Sequence, residues 1–179
     1  MTMGMCLLLW ATRVGPEHEA LLADIRATGF DGVEVPVFKG RAIRLCPAWL
    51  LTTMDDLAGF VRRVGHPNIR AMYDTFHANI EEADPKGALT RNHAEVVHIH
   101  NSENDRGVPG RGNIRWGETF AAILDIGYDD WLTIESFGRG RPDLAAATKV
   151  WRDFAESPEA IYQDGFAHIG KHLQKVGLR

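Results

Sequence analysis

Three apolar runs in this sequence end in residues that can bind a cation or move a proton: Ile69–Asp74 ends in Asp74, Val96–His100 in His100, and Trp131–Glu135 in Glu135. Each alone has an ordinary explanation. A strand-ending Asp is often a turn former or helix cap, an isolated His a satisfied core or surface residue, and a strand Glu solvent-facing. Three in phase are different. Placed around one mouth, an oxygen, nitrogen and oxygen donor set suits a hard to borderline divalent cation, Mg²⁺, Mn²⁺ or Co²⁺, better than a thiolate-seeking one.

Bringing those ends together requires parallel strands joined by helices, and the hydrophobic patterning predicts them. The continuous apolar run Met5–Trp10 predicts a strand over 5–10 buried on both faces. Gly15-Pro16 opens a helix with Glu17 and Glu19 at its positive end; Leu21, Leu22 and Ile25 follow, and Gly29 closes it. Residues 32–38 predict a second strand, which Pro36 puts at an edge or near a strand end. Thr53-Met54-Asp55-Asp56 caps a helix whose Leu57, Phe60, Val61 and Val64 share a face before Gly65 ends it. Further strands are predicted over 69–74, 96–100 and 131–135, the last preceded by a helix from 116 to 126 that stops at Gly127. Strands alternating with helices imply an α/β fold with a parallel sheet, whose ligands sit beyond the carboxyl ends of the strands.

Composition narrows the class. The 179 residues are 45% hydrophobic, which fits one soluble domain over 1–179 with a substantial core. Cys6 and Cys46 lie far apart with no Cys-x-x-Cys spacing, so neither a disulfide framework nor a zinc knuckle is implied. With 20 Lys+Arg against 24 Asp+Glu, a net charge of −4 and scattered basic residues, nucleic acid is not an expected partner. No run approaches the roughly 20 apolar residues of a membrane span. The short apolar stretch near Met1 lacks a preceding positive charge and reads as a buried strand rather than a signal peptide, so a cytoplasmic location is expected.

The segment Tyr73-Asp74-Thr75-Phe76-His77-Ala78-Asn79-Ile80-Glu81-Glu82 resembles the ketohexose 3-epimerases, the D-tagatose and D-allulose 3-epimerases, within the xylose-isomerase-like TIM-barrel enzymes. His98-Ile99-His100-Asn101-Ser102-Glu103-Asn104-Asp105-Arg106-Gly107, with Pro109–Gly112 and Trp116, resembles the stretch following the seventh barrel strand. Ile126–Asp129 and Thr133–Phe137 resemble the eighth strand and its approach, and Val150–Asp153 the helix after it. The resemblance implies a metal-dependent barrel whose Mn²⁺, Co²⁺ or Mg²⁺ is held by two Glu, one Asp and one His. It assigns Asp74, His100 and Glu135 as metal ligands, Glu135 also as a catalytic acid/base, and His77 and Arg106 as contacts to the sugar's oxygens. Without it, His77 and Arg106 would be read as a loop histidine and a surface ion-pair arginine.

A full barrel takes about 250 residues, and this chain is shorter. Strands three to five have no recognisable counterpart. The segment 41–50 matches nothing in the family and contains no acid, so it reads as a junction marking an internal truncation near 41–51. The expected architecture is therefore an incomplete TIM barrel, a parallel arc in the order of strands 6-7-8-1-2. Its open inner face and edges favour a homo-oligomer. The implied function is metal-dependent proton transfer beside the ketone of a small ketose through an enediolate, impaired by loss of one of two catalytic Glu. Two alternatives stand beside it: a hydroxypyruvate or aldose-ketose isomerase, and a non-catalytic sugar- or partner-binding pseudoenzyme.

Overall fold

The computed structural model describes residues 1–11, 14–35 and 51–177. The end of the predicted 32–38 strand, from Pro36 onward, and the 41–50 junction lie outside the described residues. Five strands, β1 (Thr2–Cys6), β2 (Gly32–Glu34), β3 (Ala71–Asp74), β4 (Val96–Asn101) and β5 (Trp131–Ile134), form one sheet in the order β2-β1-β5-β4-β3. All four pairings are parallel. This is the arc expected from a barrel that keeps strands 6, 7, 8, 1 and 2.

Alternation separates the two faces of the sheet. Met3, Met5, Tyr73, Ile99, Leu132 and Ile134 point to one side and are buried in a single hydrophobic core. The long helix α7 (Pro158–Lys175) packs there: a Cβ on its Gly165 would come within 3.0 Å of Ile134. The other face is the inside of the arc. Trp131 lies across Gly4 and Gly32, and a Cβ on Gly32 would meet its ring at 2.8 Å. Met72, His98 and Trp131 are register partners in one row across that face. Met72 remains 41% exposed and Trp131 36% exposed, the mark of an apolar wall with nothing described across from it.

Helices α1 (Glu19–Thr28) and α2 (Met54–Val64) follow the predicted punctuation. Gly29 and Gly65 take left-handed conformations at their ends, and Thr53 caps α2 by accepting from the Asp56 amide. Helices α3 (Thr75–Glu81), α4 (Pro85–Arg91), α5 (Trp116–Asp125) and α6 (Pro142–Thr148) complete the layer with α7. No helix among the described residues is long and apolar enough to cross a membrane.

Four local expectations need correction. The first strand occupies Thr2–Cys6 rather than 5–10, and Leu7–Leu9 instead form a 3₁₀ turn that buries Leu7 and Leu9 in the core. A continuous apolar run marks burial, and here burial continues through a turn. The third strand starts at Ala71, leaving Ile69 40% exposed. On α2 the buried positions are Met54, Ala58 and Val61, whereas Phe60 and Val64 of the expected stripe face outward. Finally, Val150–Asp153 are not helical. Lys149 takes a left-handed conformation that ends α6, and Ser157 with Pro158 starts α7 only afterwards.

Candidate metal centre

Asp74 ends β3 and is also the N-cap of α3, as the capping reading expects. Its Oδ1 accepts from the amides of Phe76 (2.8 Å) and His77 (3.3 Å), which fixes the side chain and leaves Oδ2 free to face the sheet. Thr75 then locks the strand-to-helix corner to the end of β4. Its hydroxyl donates to the Ser102 carbonyl at 2.6 Å and accepts from the Ser102 amide at 2.8 Å.

His100 is the register partner of Asp74 and Thr133, two residues before Glu135. The sheet therefore puts all three predicted residues side by side at its carboxyl end. His100 Nδ1 stands 3.6 Å from Asp74 Oδ2 and 3.5 Å from Glu135 Oε1. One ligand atom from each residue lies within 4.8 Å of the other two. Donors sharing an ion at roughly 2.1 Å lie about 3.0 to 3.4 Å apart, so the cluster is close to coordination spacing. Asp74 and His100 are buried and Glu135 nearly so, and His100 Nδ1 is a buried atom without a hydrogen-bond partner. Such an orphan, facing two carboxylates, fits a divalent cation with oxygen and imidazole ligands.

The electrostatics agree. Burial pulls the His100 imidazole down, but the neighbouring carboxylates of Asp74, Glu135 and Glu34 outweigh it and raise its pKa to about 11. Three carboxylates around one ring make a strongly cation-seeking pocket.

His77 and Arg106 flank this cluster. The Arg106 guanidinium lies 3.8 Å from the Phe76 ring centroid and 5.0 Å from that of Phe137, with Nη2 at 3.4 Å from His77 Nε2. Arg106 holds a left-handed backbone, φ 60°, in the loop after β4. Its amide donates to the Glu103 carbonyl, and its own carbonyl accepts from Phe137. Its Nε is buried without a partner, so a donor there is available to a ligand. Burial lowers the Arg106 pKa, while the negative charges of Glu135 and Asp74 oppose that shift. The surface ion-pair reading finds no salt bridge to Arg106 among the described residues; the guanidinium is instead stacked between Phe76 and Phe137.

Two groups of residues with evident roles were not singled out from the sequence. Glu34, at the end of β2, places Oε2 at 2.8 Å from His100 Nε2 and 3.2 Å from His98 Nε2, while the Cys6 thiol donates to Oε1 at 3.7 Å. Hydrogen bonds from His100 and then His98 hold its carboxyl well below the usual range. Burial, then the Glu34 charge, pushes the Cys6 thiol up to about 12, so it stays a thiol. Glu34 obeys the same rule that found Asp74, a polar residue at a strand exit. With the strand drawn to Phe38, however, it lay mid-strand. Glu103, fully buried, organises the loop carrying Arg106. Its Oε1 accepts from the Ile114 and Asn104 amides (3.0 and 3.1 Å), and its Oε2 from the Gly110 amide and Trp116 Nε1 (2.8 and 3.0 Å).

Residues 42–172 match the family model described as xylose isomerase-like TIM barrel. The chain belongs to the xylose-isomerase-like TIM-barrel family. It is 39% identical over 130 residues to a D-psicose 3-epimerase of Ruminiclostridium cellulolyticum, covering 73% of this chain and 44% of that protein. Among solved structures, an L-ribulose 3-epimerase superposes with a TM-score of 0.68 at 35% identity, over 72% of this chain and 44% of the other. A D-psicose 3-epimerase with D-tagatose from Clostridium cellulolyticum H10 superposes with a TM-score of 0.63 at 34% identity, over 70% and 44%. The chain thus spans less than half the length of these relatives. In this chain the Asp74, His100 and Glu135 cluster lies at the carboxyl end of the parallel arc.

Proposed function

We propose that this protein is a ketose epimerase-type domain that binds a divalent ion, most suitably Mn²⁺, Co²⁺ or Mg²⁺, through Asp74, His100 and Glu135. The observation that carries the reading is the convergence of those three side chains on a buried, unpartnered imidazole nitrogen, in a chain related to ketose 3-epimerases. A bound divalent ion would supply Lewis-acid polarisation of a ketone oxygen. Glu135 is the acid/base group, because Asp74 Oδ1 is engaged in capping α3 and Glu34 lies at the opposite ring nitrogen of His100. Arg106 and His77, held together on Phe76, receive the sugar's hydroxyls and orient the carbon beside the ketone toward Glu135.

Inverting that carbon takes a second proton donor on the opposite face. We assign no carboxylate to that position among the described residues, so Glu135 exchanges the proton on one face and epimerisation is slow. We read the chain as one domain joined near 41–51 and cytoplasmic, with self-association covering the apolar inner row and edge strands. If the opposing carboxylate is not restored by a partner, the protein acts as a sugar-binding pseudoenzyme. The exposure of Met72 and Trp131 on the inner face of the described residues favours this second reading.

Incubation of a ketohexose panel with the Mn²⁺-loaded protein in D₂O, followed by mass and NMR analysis, tests the assignment. Deuterium entering at C3 with little C3 epimer is the expected result, abolished by Glu135→Gln. No exchange from any ketose would remove the catalytic reading, and rapid epimer formation would show that a second carboxylate is in place.

A further inference from the structure

We propose that Glu34 is a positioning residue that fixes the tautomer of His100, holding a proton on Nε2 so that the Nδ1 lone pair is presented to Asp74 and Glu135. The inference rests on the metal-site reading above and adds a residue to it. An ionised carboxylate is an acceptor only, so at 2.8 Å the proton between Glu34 Oε2 and His100 Nε2 belongs to the imidazole. A neutral imidazole has one N–H and one lone pair, and occupying Nε2 with the proton leaves the lone pair on Nδ1. That is the ring nitrogen found buried, without a hydrogen-bond partner, and 3.5 to 3.6 Å from the two carboxylates.

The surroundings hold Glu34 for this task from both oxygens. Cys6, its register partner on β1, donates to Oε1, and His98, two residues before His100 on the same face of β4, reaches Oε2 at 3.2 Å. The His98 and His100 rings meet edge to face, with centroids 5.2 Å apart. The carboxylate therefore cannot swing away from His100 without breaking contacts on two other strands. A carboxylate behind a metal-binding imidazole raises its basicity and sets its orientation, and loss of such a partner typically costs about 10- to 100-fold in metal affinity. Glu34, His98 and His100 are also close enough to take an ion themselves, and the orphaned Nδ1 is the reason to place the ion on the other side.

Two measurements on the full chain test this, neither requiring turnover. The first is ¹⁵N-imidazole NMR of the Mg²⁺-bound protein, with the His100 signals assigned through His100→Ala. It should show Nε2 protonated and Nδ1 without a proton; a proton on Nδ1 would overturn the proposal without any variant having to fold. The second is Mn²⁺ titration followed by EPR. Glu34→Ala should weaken binding about 10- to 100-fold, and Glu34→Gln, which keeps an acceptor without the charge, by less. Unchanged affinity in Glu34→Ala, with Asp74→Ala abolishing binding, would refute the role of Glu34 and leave the metal site standing. Binding that survives Asp74→Ala but is lost in His98→Ala would overturn both, because the ion would then sit on the Glu34 side.

Discussion

Glu103→Gln is the substitution whose cost follows most directly from the contacts. The carboxylate is fully buried and accepts four hydrogen bonds, two at each oxygen, from three backbone amides and the Trp116 indole. A glutamine of the same shape has one oxygen. Whichever way its amide turns, its NH₂ group faces two donors, which lose their acceptor in a buried site. Each buried donor left unsatisfied costs about 1–3 kcal/mol, so the expected loss is about 2–6 kcal/mol. That is a large share of the roughly 5–15 kcal/mol that holds a domain together. Water can relieve only part of this: a Cβ on Gly112 would already lie 2.6 Å from Glu103 Oε1, so the loop is closed tightly over the carboxylate. Urea unfolding of the wild type and the variant, followed by circular dichroism, measures the difference. Because the Glu103 carbonyl accepts from the Arg106 amide, the same variant should loosen the arginine stacked on Phe76. A loss under about 1 kcal/mol would refute the reasoning, since it would mean the two donors facing the NH₂ group find other partners at little cost.

Further outcomes are expected elsewhere in the molecule. Gly110 has φ 91°, and a Cβ there would lie 2.3 Å from His168 Nδ1, so Gly110→Ala should cost about 1–2 kcal/mol from backbone strain alone and more from the displaced ring, read as a lowered urea midpoint. Metal-free protein should be most stable between about pH 4.5 and 6.5. The lowered Glu34 pKa contributes stability that is present above its ordinary 4.5 and lost as pH falls, whereas the raised His100 pKa contributes stability complete below 6.5 and lost as pH climbs toward about 11. Urea midpoints from about pH 3 to about pH 10 check this, and a profile that rises above pH 6.5 would contradict it. Sedimentation should show mass growing with concentration, because Met72 and Trp131 on the inner face and Val33 and Ile69 beside the edge strands are at least 36% exposed. A monomer at every concentration would mean that another part of the chain covers them.

The strands and helices were legible because burial and glycine and proline punctuation are recorded in local sequence, whereas their order in the sheet followed from the resemblance to a closed barrel, in which the last strand neighbours the first. Asp74, His100 and Glu135 were legible for a related reason: each closes an apolar run, so a polar side chain at the exit is visible without coordinates. Glu34 follows the same rule, yet Val35, Pro36, Val37 and Phe38 prolong its apolar run and hid the strand's end. The Met5–Trp10 run misled in the opposite sense. Leu7 and Leu9 are buried in the core without belonging to a strand, and the paired residues Thr2 and Gly4 look unlike a buried strand because they face the inside of the arc. Glu103 was hidden for a third reason. Its four partners come from as far as Trp116, and sequence gives no sign that a loop will fold back over a carboxylate.

The side of His100 on which a cation sits decides most directly between the two candidate clusters. A crystal structure of the protein grown with Mn²⁺, with anomalous data collected for the metal, locates it without reference to turnover or to substrate. The expected result is one strong peak within roughly 2.0 to 2.3 Å of His100 Nδ1 and of a carboxylate oxygen from each of Asp74 and Glu135. A peak between Glu34, His98 and His100 Nε2, or none in a crystal saturated with Mn²⁺, would contradict it.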